Sequence, residues 1–484
     1  MRKVSEGDGR ESAWGVFAAA VAITAIWSMH AGKDLSWDLL HYHYYAAHAF
    51  FDARLERDFF AASAQGYLNP VGYLPFYWMV SSGWHSVAVS TLLAAAHAAN
   101  IALLYALAQR LFVHHEARSR AILSLLAAAL GSASAVFWAT VGTSFLDPLL
   151  TVPMLGGVLL LAGEGEAGTT RRIACAGFLL GAAAALKYSN ATFALAAAIL
   201  ALSQPDRGVV ARFRALLAYS AGGALGLTLL GGATFVRLYR EYGNPVFPLL
   251  NAWFRSPDFP PINIGAERFA PRSLEEAAIF PFRILSPESM TYAEISAPDL
   301  RFAALAALAA AVAATAFLRR FGGPGAAAGG LTRLDFRLFG FFALAYSAWL
   351  ATSANGRYGM LVLLLAGPLV ARLADRLLPA ASVRGALLIL LIAQAVACAL
   401  ISPTRWFMTD LWSERWFPYQ APERAKREPA LYLTVETQAM SVVVPFLHPD
   451  SSFINLRGQH SVEHSARRMQ ALLARHQGDR KSVV

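Results

Sequence analysis

The chain has 484 residues, 56% apolar and only 15% charged, with a mean hydropathy of +0.44. Those proportions exclude an ordinary soluble globular protein and indicate a polytopic membrane protein. The net charge of +10 is spread over short loops between apolar runs and comes with no RNA- or DNA-binding motif, so it reads as membrane orientation and not as nucleic-acid binding.

A spanning helix needs about 20 mostly apolar residues. In chain order, candidate spans cover 13–31, 85–112, 121–141, 144–163, 173–187, 190–203, 215–236, 302–318, 335–352, 358–374 and 384–402. The expectation is an all-α membrane domain over 1–402 with about eleven crossings. The pair 173–187 and 190–203 is short and interrupted by Lys187, Tyr188, Ser189 and Asn190, so a re-entrant hairpin is the alternative there. Cys175 and Cys398 both lie in apolar runs, read as buried small hydrophobes, and offer neither a disulfide framework nor a cysteine metal site.

Orientation follows from the basic loops. Arg2, Lys3 and Arg10, then Arg118 and Arg120, Arg171 and Arg172, Arg207, Arg212 and Arg214, Arg319, Arg320, Arg333 and Arg337, and Arg372, Arg376 and Arg384 fall on one side, while the alternate short loops hold almost none. The basic side is cytoplasmic. The N-terminus is then cytoplasmic, and 32–84, 237–301 and 403–484 face outward, into the periplasm if the membrane is a bacterial inner membrane. "SMHAGK" is a poor cleavage site, so residues 1–31 read as an anchor and not a signal peptide.

The first outward loop opens with "SWDLLHYHYYAAHAFF". Ser36 is a plausible N-cap, and helical spacing lines up Asp38, His41, Tyr45 and His48 as one polar stripe on an interfacial helix, with His43 beside it. Asp38 is open to two readings: a first-turn acid favoured by the helix N-terminus, or a functional carboxylate. The second loop, rich in proline and aromatics, is too long for a passive connection; Ser273 and Glu276 in "RSLEEAAIF" predict a helix along the membrane surface. In the tail, "ALYLTV", "SVVVPFL" and "SFINL" read as strands and "SVEHSARRMQALLARH" as an amphipathic helix, a small α/β domain over 403–484.

Asp147 in "TSFLDPLL" fits an N-cap with Pro148 at the first helical position, and equally a site carboxylate. Lys187 and Arg357 fall at outer span ends, where cations can snorkel to headgroups or bind a lipid phosphate; Tyr188 and Tyr358 stand next to them.

The acid just after the first span, the second acid near the fourth, the "LKYSN" hairpin, the outer "NGRY" and the soluble tail together resemble the GT-C superfamily of membrane glycosyltransferases. Within it, the chain looks most like the bacterial enzymes related to protein mannosyltransferases and the lipid A aminoarabinose transferase. The resemblance covers roughly residues 13–402. It implies that Asp38 is the general base on the acceptor, that Asp147 is a second acid near the centre, and that Arg357 with Tyr358, and Lys187, bind the phosphate of a polyprenyl-phosphate sugar donor. Many relatives carry two adjacent acids in the first loop, whereas Asp38 is flanked by Trp37 and Leu39, which leaves a metal-dependent mechanism in doubt.

The chemistry itself asks for a base on one side of the anomeric carbon and cations at the departing phosphate. His41, His43 and His48 serve as substrate-orienting groups or an alternative base; no pair has the i, i+4 spacing of a helical metal motif, so no metal or other cofactor is expected. No Gly-rich nucleotide-binding unit is present, which favours a membrane-borne donor and a lipid, glycan or protein acceptor. Two alternatives stay open. A glycan ligase or polymerase would rely on Arg255, Arg268 and Arg272 of the second loop, and a transporter would place ionisable residues mid-membrane within inverted repeats.

Overall fold

The computed structural model describes residues 6–163, 169–204, 208–319, 331–401, 406, 409–434, 441–456 and 466–475. In chain order the helices are α1 (Glu6–Ala31), α2 (Tyr44–Phe51), α3 (Leu74–Ser81), α4 (Ser86–Leu111), α5 (Ala117–Ser132), α6 (Ala135–Thr140), α7 (Leu146–Leu161), α8 (Thr169–Leu186) and α9 (Ala191–Leu202). They continue as α10 (Val209–Tyr242), α11 (Asn251–Phe254), α12 (Leu274–Arg283), α13 (Leu300–Arg319), α14 (Arg333–Thr352), α15 (Met360–Leu377), α16 (Ala380–Ile401), α17 (Glu423–Arg427) and α18 (Arg467–Arg475).

Helix occupies each of the eleven apolar stretches, and 121–141 is split into α5 and α6 where Ser134 caps the second helix by accepting from the Phe137 N–H. Among the described residues, six helices are long and apolar enough to cross a membrane: those over Ala13–Ala31, Ser86–Leu111, Val209–Tyr242, Leu300–Leu318, Arg333–Thr352 and Ala380–Leu400. The others are short, as over Leu146–Leu161 and Tyr188–Leu202, or carry several charges, as α15 does with Arg372, Asp375 and Arg376. Of these, α15 is buried along most of its length. The faces of α1, α10 and α16 leave Ile23, Ile26, Leu225, Leu229, Ile389 and Leu400 exposed, as suits a surface toward lipid.

Small residues set the closest helix approach. A Cβ on Gly177 or Gly181 of α8 would run into the carbonyls of Tyr219 and Gly223, and one on Gly222 of α10 into that of Ala174. The two backbones therefore pack directly, as small-residue stripes allow in membranes. Cys175 on α8 is exposed and Cys398 on α16 half-buried, a correction to the expectation that both are buried.

The segment between α1 and α4 is folded tightly under the tail. Strand β1 (Lys33–Asp34) pairs antiparallel with β2 (Thr409–Asp410), and β3 (Leu431–Thr434) pairs parallel with β4 (Ser452–Asn455). The second pair reaches the first loop, since Phe59 N–H donates to Phe453 O at 2.7 Å and Asn455 N–H to Phe59 O at 3.1 Å. Arg54 adds hydrogen bonds to the carbonyls of Pro449 and Ser451, and the Ser441 hydroxyl donates to the carbonyl of His41. The described tail residues thus share a core with loop 1, Phe59 and Phe60 clustering with Ile454 and Met469. "SVVVPFL" is not a strand either: Ser441–Phe446 is a 3-10 turn, because Pro445 has no N–H to give a ladder. Of the expected amphipathic helix only α18 falls among the described residues, the stretch 457–465 lying outside them.

Candidate functional site

The opening loop departs from a regular helix at the residues that matter most. After the first turn the backbone widens into a π-helical turn over Leu39–His43 before α2 begins. A wider turn shifts the angular register, so the 3.6-residue spacing that aligned Asp38, His41, Tyr45 and His48 no longer holds. Their side chains go to different places. The Tyr45 hydroxyl donates to Asp58 at 2.8 Å, and Asp58 is held bidentately by Arg54, both nearly fully buried. His48 sits between Tyr77 and Asp52, at 3.2 and 2.8 Å. The tyrosines Tyr42, Tyr44 and Tyr45 are buried. The segment is not an interfacial helix with one polar stripe.

Asp38 itself meets a partner more than three hundred residues away. Its Oδ2 accepts from Arg357 NH1 at 2.5 Å. Arg357 lies in the turn between α14 and α15, where the Asn355 side chain accepts from its N–H and Trp349 donates to the Asn355 carbonyl. Its guanidinium lies against two adjoining rings, 4.6 Å from the centroid of Phe145 and 4.9 Å from that of Trp406, which themselves meet edge to face at 5.9 Å. Such stacking fixes the guanidinium plane. The second edge faces Glu294 Oε1, 3.7 Å from NH2.

Asp147 is not an N-cap. Phe145 holds that position, and Asp147 is the second residue of α7, with its Oδ1 2.5 Å from Lys187 Nζ. Lys187 sits at the break between α8 and the short 3-10 turn Tyr188–Asn190, so its extended backbone swings the ammonium across to α7 and over the face of Tyr358, 4.4 Å from the ring centroid. Tyr358 also borders Arg357, at 5.8 Å. Tyr188 turns instead toward Phe235 of α10.

Histidines line the same wall. His43 Nδ1 is 2.7 Å from the Ser144 hydroxyl, which also lies 3.2 Å from Asp34 Oδ2, and the His43 ring stacks on Tyr73 at 4.5 Å. His41 stacks on Trp37 at 4.1 Å, and neither of its buried ring nitrogens has a hydrogen-bond partner. Burial, only partly offset by Asp38, pushes the His41 ring down to about 4 and the His43 ring to about 3. Both are neutral at pH 7. For Asp38, burial works upward, but the Arg357 guanidinium, aided by Lys187, outweighs it and holds the carboxyl below its ordinary value.

Two ion pairs, Asp38–Arg357 and Asp147–Lys187, therefore stand side by side, bridged by the Tyr358 ring. Several of their polar atoms are buried and unpartnered: Arg357 Nε, Asp147 Oδ2, Glu294 Oε2 and the two nitrogens of His41. Buried polar groups are normally satisfied, and a concentration of exceptions marks where a ligand can supply the missing bonds. Glu294, Trp406 and Phe145 were not singled out by the sequence. "TSFLDPLL" contains Phe145 and Ser144, but nothing in "TYAEIS" or in the tail distinguishes Glu294 or Trp406 from any loop residue. Arg255, Arg268 and Arg272 do not converge: Arg268 reaches Glu294 at 3.5 Å from a mostly exposed position, and among the described contacts no ion pair joins the other two to the cluster. A separate, small cavity of about 40 Å³, lined by residues including Ala46, Phe50, Thr234 and Arg237, touches none of the paired residues.

No family model, no curated protein and no solved structure matches this chain.

Proposed function

We propose that the protein is an inverting membrane glycosyltransferase that moves a sugar from a polyprenyl-phosphate donor to a lipid, glycan or protein acceptor. In this reading the eleven helical stretches form a GT-C-like membrane domain in a bacterial inner membrane, with the N-terminus cytoplasmic and the paired cluster at the periplasmic face. The observation that carries it is the juxtaposition of Asp38 with Arg357 and of Asp147 with Lys187, with unpartnered buried atoms on both pairs.

In the transfer, the anomeric carbon breaks its bond to the phosphate oxygen and forms one to the acceptor oxygen or nitrogen, and the acceptor proton passes to Asp38. The departing phosphate takes the bonding electrons and is met by Arg357 and Lys187. The resting ion pair makes Asp38 a weak base. A phosphate that engages the free Nε and one amino edge of Arg357 shares the guanidinium charge, so donor binding raises the basicity of Asp38 when the acceptor arrives. His41, with both nitrogens free, and Trp37 beneath it supply a hydrogen-bonding group and an apolar face suited to a sugar ring. The chemistry requires no resident cofactor.

The test is sugar transfer by purified wild type and Asp38→Asn in lipid nanodiscs, with a panel of radiolabelled polyprenyl-phosphate sugars and an envelope extract as acceptor. The expected result is transfer by wild type and its collapse in the Asn variant, with donor binding retained. Transfer undiminished in Asp38→Asn removes this carboxylate from the chemistry, and absence of transfer with every donor overturns the reading. A glycan-ligase activity abolished by Arg268→Ala but not by Asp38→Asn would favour the second-loop arginines instead.

A further inference from the structure

A second cluster of ionisable side chains lies at the far end of the bundle. Asp375 is 18 residues along the chain from Arg357, and α15 fills nearly all of that interval, a separation of about 27 Å at helical rise. There α4 has just ended, and the consecutive His114 and His115 fold back onto Asp375. His115 Nε2 is 2.7 Å from Asp375 Oδ1 and His114 Nε2 is 3.1 Å from Asp375 Oδ2. All three ligand atoms lie within 4.8 Å of one another.

The hydrogen bonding of this cluster does not close by itself. His114 Nε2 faces the acceptor Asp375 Oδ2 and, at 3.3 Å, the donor Arg372 NH1. One ring nitrogen either carries a proton or offers a lone pair, so it can satisfy only one of them. Arg372 has no need of the histidine, because its Nε and NH2 are bound bidentately by Asp335 at 2.7 and 2.8 Å and its NH1 donates to Asp375 at 2.9 Å. Asp335 balances the charge of Arg372, with Arg376 a further 4.0 Å away, and is itself locked by the capping box with Thr332 at the start of α14.

We propose that His114, His115 and Asp375 form a binding site for one divalent transition-metal ion of the zinc type. Two neutral imidazoles and one carboxylate are a common zinc donor set, with ligand bonds of about 2.0–2.2 Å and neighbouring ligand atoms roughly 3.3 Å apart in a tetrahedron. The spacings of 2.7 to 4.8 Å bracket that requirement. An ion here uses both Nε2 lone pairs and resolves the conflict at His114, while Arg372 becomes the outer hydrogen-bond donor that orients the ligating carboxylate, itself oriented by Asp335. His114 is 39% exposed, so water completes the shell. The ion ties the end of α4 to α15, two helices about 260 residues apart in sequence, and its role is structural. It is remote from Asp38.

The test uses the full chain in nanodiscs, stripped with EDTA and then titrated with Zn²⁺ or Co²⁺ alone. Elemental analysis after dialysis is expected to give one ion per chain, Co²⁺ to show the intense visible absorption of a four-coordinate site, and Zn²⁺ to raise the unfolding temperature. His114→Gln and His115→Gln are each expected to bind at least tenfold more weakly and to lose that rise, with the metal-free unfolding temperature unchanged, while Asp38→Asn binds as wild type does. Metal bound equally well by wild type and both histidine variants, metal lost in Asp38→Asn but kept in the histidine variants, or a Co²⁺ spectrum of octahedral type alone overturns the proposal. The Co²⁺ spectrum of the wild type decides the matter even if a histidine variant fails to fold.

Discussion

Two buried arginine–aspartate pairs in this protein differ in how completely they are bonded. Arg301 donates through Nε and NH2 to both oxygens of Asp299, at 2.8 and 2.5 Å, and through NH1 to the carbonyls of Leu130 and Gly131 at the end of α5. Every nitrogen is used, and the pair caps one helix while starting another. Arg357 donates through NH1 to Asp38, reaches Glu294 only at 3.7 Å, and leaves Nε with no partner. The first pair is closed and holds the fold; the second has bonding capacity left for a ligand. Burial and an ion pair are common to both; the unused donor on Arg357 is what separates them.

The sharpest way to break this contrast is Asp38→Asn. On the proposed mechanism, loss of the base lowers sugar transfer about 10²–10⁴-fold, measured in nanodiscs, while stability falls much less than transfer, because the amide oxygen that the substitution introduces can still accept from Arg357 and Glu294 stays 3.7 Å from that guanidinium. A fall in stability that matches the fall in activity would make Asp38–Arg357 another structural pair. The converse experiment is Arg301→Ala, which leaves Asp299 charged and buried and takes its side-chain donor from the Gly131 carbonyl, the Leu130 carbonyl keeping the Ala133 N–H. It is expected to cost about 3–5 kcal/mol of stability, measured by thermal or denaturant unfolding, and an unchanged unfolding curve would end the distinction from the other side.

Acidification probes the wall of the site. The unfolded chain protonates its histidines near 6.5, whereas burial holds the folded His41 and His43 rings at about 4 and 3. Between those values the unfolded state binds more protons, so stability falls as pH drops below about 6.5, by up to about 1.4 kcal/mol per pH unit for each ring. Above that pH the two rings add no pH dependence. Removing both, as His41→Gln with His43→Gln, should flatten the stability profile between about pH 4 and 6.5; a profile unchanged from wild type would mean the rings are not held neutral.

Smaller effects sharpen the same comparison. Trp406→Leu removes one of the two rings that border Arg357, a loss of about 0.5–2 kcal/mol of cation–π interaction, expected as a higher KM for the donor with less change in kcat. Tyr45→Phe deletes one hydrogen bond in the Arg54–Asp58 network, which is fully bonded like Arg301–Asp299. It should cost about 0.5–1.5 kcal/mol of stability and leave transfer unaltered, and a transfer defect there would extend the site along α2.

Much of this architecture was legible in the sequence because it rests on local composition. Long apolar runs must form helices where backbone groups cannot meet water, and helix does fall on each of the runs at 13–31, 85–112 and onward. Asp38, Asp147, Lys187 and Arg357 stood out for the same reason: an ionisable residue at the end of an apolar run is costly and therefore conspicuous. The polar stripe at Asp38, His41, Tyr45 and His48 failed because a π-helical turn is set by packing against distant elements, including the Ser441–Phe446 turn, and no period in the sequence announces it.

Local composition is enough to set out the helices and to single out the few charged residues at their ends. Which charge meets which came from long-range packing: Asp38 with Arg357 and Asp147 with Lys187, Tyr45 drawn off to Asp58, Trp406 brought from the tail onto Arg357, and His114 and His115 onto Asp375. The physical reason is range. Helix formation follows from neighbours within a few residues, whereas partner choice between buried charges depends on which elements pack together across hundreds of residues.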